Sequence, residues 1–99
     1  MNQFNTPSAL YTFGIAKNVV WIEDIGVNTR SVTNDMEAVL NDIMRKTDIN
    51  IADYKVVYKD SQGNWDGVTP HLNNDGKVID VGFYPLRTRD KKTAILSAK

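Results

Sequence analysis

The chain has 99 residues and no cysteine. That excludes disulfides, thiolate zinc sites and cysteine nucleophiles together, and it suits a reducing, cytoplasmic setting. Histidine is nearly absent too, with His71 alone available for imidazole chemistry. No apolar run approaches the roughly 20 residues that cross a bilayer, so no membrane partner is expected. The N-terminal MNQFNTPSAL lacks the basic start and apolar centre of a secretory signal. Also missing are G-x-S-x-G, H-E-x-x-H and any glycine-rich phosphate loop. A chain of this length supports one core, which gives a single domain over residues 1–99. Residues 1–9 are expected to be loosely held, and 87–99 to form a flexible basic tail.

Formal charge sums to zero, but unevenly. Residues 1–86 carry 7 Lys/Arg against 11 Asp/Glu, whereas 87–99 carry 5 against 1. The body is therefore mildly acidic and the tail basic, a distribution expected to steer toward an acidic partner, unless the tail is simply a solvated terminus.

The best-specified element is Asn34–Thr47 (NDMEAVLNDIMRKT). Met36, Val39, Leu40, Ile43 and Met44 follow the i, i+3, i+4, i+7, i+8 spacing of one apolar helical stripe. Asp35, Asn41, Asp42, Arg45 and Lys46 fall on other faces, with Asp42 and Lys46 as an i,i+4 pair. Thr33 or Asn34 is a suitable cap, and Asp35 and Glu37 complement the positive helix end.

The rest reads as strands. Leu10–Ala16 is a short one in which Gly14 suggests a bulge or bend. After Asn18, Val19–Ile25 is β-branched and aromatic up to Gly26. Beyond the helix, the isoleucines of 48–53 are placed to pack under its end. Tyr54–Lys59 alternates Tyr54, Val56 and Tyr58 against Lys55, Val57 and Lys59. The turn at Asp60–Gly63 returns the chain antiparallel through Asn64–Thr69, with Pro70 as terminator. The turn Asn73–Gly76 leads into Lys77–Tyr84, with Ile79, Val81 and Phe83 on one face and Pro85 as the stop. The order is (β)β-α-β-β-β. It is most simply satisfied by an α+β two-layer sandwich, one amphipathic helix on a 3–5-stranded, mostly antiparallel sheet. The helix would then cross over between parallel strands, and the last three strands would form a meander.

Chemistry-bearing patterns are weak. Asp60, Gln62, Asn64 and Asp66 alternate like calcium-loop ligands, but Trp65 replaces the turn glycine and His71 the bidentate glutamate. Neither metal nor cofactor is expected. A hydrolase centred on His71 with Asp66 or Asp75, and Ser61 across the turn, has no motif behind it. Glu23, Asp24, Asp60, Asp66 and Asp80 offer carboxylates without a cleft for glycosidase-type work.

Aromatic residues give the stronger indication. Tyr54, Tyr58 and Trp65 are core or surface depending on which face of the strand meets the helix. If they are outward, they make an anchor surface with Asp66 at the hairpin tip and Arg87 and Arg89 as auxiliary charges. The expectation is a non-enzymatic interaction module (regulator, inhibitor or adaptor) binding a protein partner through a sheet face and hairpin tip. The short chain rich in Asn, Asp and Lys also suits an accessory protein of a phage or mobile element. The alternative is a nucleic-acid binder using stacked aromatics and the basic tail. Either way, Leu10–Ala16 and Lys77–Tyr84 are edge candidates through which two copies would form a homodimer.

Overall fold

In the computed structural model, Met36, Val39, Leu40 and Ile43 are fully buried and Met44 partly so. The apolar stripe is thus the inner face of helix α1 (Val32–Thr47), which starts slightly ahead of the expected Asn34. Each such aliphatic contributes about 1.5–3 kcal/mol when removed from water. The structure describes residues 11–23, 32–60 and 62–98, with α1 side chains from Met36 onward. Several expectations lie outside these residues: the segment 1–9, Leu10, Asp24 to Ser31, the capping side chains of Thr33, Asn34 and Asp35, and Ser61.

The sheet under α1 has five strands in the order β1-β2-β3-β4-β5. They are β1 (Thr12–Ala16), β2 (Val19–Glu23), β3 (Lys55–Lys59), β4 (Trp65–Leu72) and β5 (Val78–Thr88). β1 and β2 form a hairpin closed at Ala16↔Val19, turning through Lys17 at φ 57°. α1 then carries the chain to β3, which pairs parallel with β2. β3, β4 and β5 form the antiparallel meander. The α+β class and the element order are as expected. Ile51, in a 3₁₀ turn (Ile51–Asp53) capped by Asn50, is buried, and Ile49 packs against the same core.

Four local expectations are corrected. Gly14 is no bulge: it lies in regular register opposite Trp21, whose ring occupies the space a Cβ would need. Pro70 does not end β4 but pairs with Val81, beyond the last residue of β4 paired to β3, Val68. A missing N–H is harmless there. Pro85 sits inside β5 opposite Asp66, on an edge strand. Finally, Ile79 does not share one face with Val81 and Phe83. The register slips between His71 and Leu72, which puts Val78 and Val81 in the core and leaves Ile79 53% exposed.

The tail is also ordered. Lys91–Ser97 forms helix α2, whose N-cap Asp90 accepts from Thr93 N at 2.9 Å. Ala94 and Ile95 pack with Val19, Val57 and Trp65 on the sheet face opposite α1. The sheet is therefore covered on both faces, by a long helix and a short one. The charge count of the tail hid two residues of core.

Candidate interaction surface

Strand parity decides where the expected anchors go. Val56 and Tyr58 of β3 face α1 with Val20, Ile22 and Val68, while Val57 faces α2. Tyr58 is accordingly 7% exposed and belongs to the main core. Tyr54 is half-buried and packs against that core from the start of β3. Trp65 is 1% exposed on the opposite face, beneath α2. These three aromatics do not form one outward surface, and each supports a layer of the fold. Arg87 is exposed at φ 60°, where β5 slips register against Trp65 and Asp66. Arg89 reaches the hairpin through Asn64, with Nη1 donating to Oδ1 at 3.3 Å.

Asp66 remains near the tip, together with residues of other expected roles. It pairs across the ladder with Tyr58 and with Pro85, on the α1 side of the sheet. Phe83 stays 37% exposed on that side, its ring 5.5 Å from that of Tyr58. Asp60 terminates β3, and its Oδ1 accepts from the amides of Gln62 and Asn64 at 2.9 Å each, which fixes the turn. The result is a tip with an exposed aromatic, a proline beside it and two carboxylates.

The electrostatics of this tip are unbalanced. Burial, and then the neighbouring Asp60 charge, push the Asp66 carboxyl above the usual range. Burial followed by the charges of Asp66 and Asp60 pushes the Tyr58 hydroxyl up to about 12. Among the described residues, no ion pair reaches Asp60 or Asp66. Two carboxylates elsewhere in the fold, Glu23 and Asp42, are paired. Glu23 meets Lys91 at 2.6 Å and Lys59 at 3.4 Å, and the Lys91 ammonium also stands 3.2 Å from the Trp21 ring centroid. Asp42 is buried but holds Arg45 at 2.8 Å, Lys46 at 3.0 Å and the Tyr11 hydroxyl.

Of the residues in the hydrolase reading, His71 and Asp66 lie on opposite faces of β4. His71 lies exposed on β4 opposite Asp80, with a parity that places it on the face away from Asp66, and Asp75 belongs to the β4–β5 turn. Among the described residues there is no group of three or more His, Asp or Glu side chains placed to hold a metal ion. No described helix is long and apolar enough to cross a membrane. Sequence reasoning grouped Phe83 with Ile79 and Val81 on one face and did not single it out as a contact residue. Its parity was legible, but where α1 stops covering the sheet was not.

Comparison with family models, curated proteins and solved structures returns no match.

Proposed function

We propose that this chain is a small non-enzymatic interaction module, a cytoplasmic regulator, inhibitor or adaptor that takes a basic segment of a partner protein at the β3–β4 tip. The observation behind this reading is Asp66, held half-buried beside Asp60 without a cation and bordered by the exposed Phe83 ring. A partly desolvated carboxylate pair gains most from an arginine or lysine that arrives with apolar surface. Phe83, backed by Tyr58, supplies that surface on a rigid strand and loses little side-chain freedom on binding. The contact set is therefore Phe83, Asp66 and Asp60, and Tyr58 acts as the floor beneath them. The tip has the wrong sign for phosphate, since nucleic-acid affinity comes chiefly from lysine and arginine.

The test is affinity capture with wild-type chain, Phe83→Ala and Asp66→Asn, each with and without nuclease. A protein retained by the wild type and weakened at least about tenfold in either variant supports the reading. Capture that nuclease abolishes, or that both variants retain, overturns it.

A further inference from the structure

The two edges of the sheet are built differently. β5 is long but guarded: it contains Pro85, a register slip beside Ile79 and a second slip where Arg87 takes φ 60°. Proline and bulges of this kind keep an edge from accepting another strand. β1 has none of these guards. Its five residues, TFGIA, carry no charge and no proline, and its pairing with β2 is regular throughout.

The hairpin geometry shows which groups of β1 point outward. Antiparallel neighbours alternate between pairs that exchange hydrogen bonds and pairs that do not. A two-residue turn closes on a bonded pair, here Ala16↔Val19, so Gly14↔Trp21 is bonded as well. Phe13 and Ile15 then direct their N–H and C=O groups away from β2. The hydrogen bond from Lys55 N to Asn18 O, at 2.9 Å, fits the same parity. It requires the intervening residues Val20 and Ile22 to serve β3 rather than β1. Among the described residues, no strand pairs with the outer edge of β1.

We infer that β1 is the joint between two copies of this chain, paired antiparallel about a two-fold axis at Gly14. In that register Phe13 faces Ile15 of the second copy, each such pair exchanging both N–H···O bonds. The sequence around Gly14 suits it. Phe13 and Ile15 lie on the α1 side, and Ile15 is 40% exposed. Pairing sets each Ile15 against the other copy's Phe13 and extends the apolar layer across the axis. On the opposite side Gly14 and Ala16 are small, so the Trp21 ring seated on Gly14 is not disturbed. The pairing is isologous, hence closed at two copies, because the guarded β5 edges stop further growth. About 17 Å of strand is modest contact, so the dimer forms in a concentration-dependent way. This inference does not depend on the hairpin-tip reading.

Sedimentation velocity and amide hydrogen exchange on the full chain test it together. The mass should rise with concentration from 11.2 kDa toward twice that value. The Phe13 and Ile15 amides should become slow over the same range. Ile15→Lys places an ammonium at the joint, on a side chain already partly wet, and should restore the 11.2 kDa species with unchanged circular dichroism. Ile79→Lys, on the guarded edge, should leave the dimer intact. A single 11.2 kDa species at all concentrations overturns the inference. So does a dimer that survives Ile15→Lys, or that is lost in Ile79→Lys. Slow exchange at Phe13 and Ile15 that is independent of concentration would mean the chain covers its own edge, and also overturns it.

Discussion

The Trp21 indole packs against Gly14 on the neighbouring strand, in the space a Cβ would need, with the Lys91 ammonium 3.2 Å from its ring centroid. The glycine is needed because a Cβ on Gly14 would clash with Cζ2 of the ring. Gly14→Ala should therefore destabilise by about 1–3 kcal/mol, as overpacking does in a filled interior. Gly82→Ala is the control, since the space above Gly82 is open, and it should change stability by less than about 0.5 kcal/mol. Urea unfolding of both variants reads the difference.

Trp65 anchors the second layer. At 1% exposure under Ala94 and Ile95, its truncation leaves a cavity between sheet and α2. Trp65→Ala should cost about 3–5 kcal/mol, a large share of the roughly 5–15 kcal/mol typical of a domain. The expected measurement is a collapse of the denaturation midpoint, with α2 released. An unchanged midpoint would place Trp65 at the surface.

What was legible in the sequence followed strong periodicity. The α1 stripe has five apolar residues at helical spacing, a pattern no strand can bury. The turns at Asp60–Gly63 and Asn73–Gly76 carry their own chemistry: the Asn73 side chain accepts from the amides of both Asp75 and Lys77, and Gly76 takes φ 80°. The parity of β3 was readable, but its direction was not. Val57 looks like a single apolar residue between lysines until α2 supplies its partner. α2 is legible only as a short basic amphipathic segment, Ala94-Ile95-Leu96 behind the four basic residues of 87–92. That it packs on this chain's own sheet is not legible, because the helix buries fully only Ala94. Pro70 and Pro85 read locally as terminators, yet both lie inside strands, because a missing N–H matters only where a neighbour requires it. That depends on strand order, which local sequence does not encode.

Asn41 offers a test of one such long-range contact. Its side-chain amide donates to Val78 O at 3.0 Å and accepts from Val78 N at 2.9 Å, acting as one further rung for the start of β5. Val78 is buried, so neither backbone group has ready access to water. Asn41→Ala should cost about 1–3 kcal/mol through the orphaned pair. Asn41→Asp, which keeps only the acceptor, should recover part of that loss. Hydrogen exchange at the Val78 amide should accelerate in the alanine variant and stay slow in the aspartate variant.

The last prediction separates carboxylates that hold the fold together from those kept for binding. The hydrogen bond from Lys91 holds the Glu23 carboxyl below the ordinary range, against the opposing effect of burial. A folded-state pKa below the unfolded value contributes stability above the unfolded pKa, and that stability is lost as pH falls through the folded one. Glu23→Gln should thus be destabilising near pH 7, and the penalty should shrink as the solution is acidified below about pH 4. For Asp66 the sign reverses. Burial, then Asp60, raises its pKa in the folded state, so ionisation costs more in the fold than in the unfolded chain. Stability is lost as pH rises from the unfolded value, near 4, through the folded one. Asp66→Asn should then stabilise the protein at pH 7, by a few tenths to about 1 kcal/mol, and lose that advantage in acid. Paired urea titrations across pH measure both slopes. A stabilising Asp66→Asn that also loses the captured partner is the signature of a residue retained for contact at the expense of the fold. A destabilising one would assign Asp66 to the structure instead.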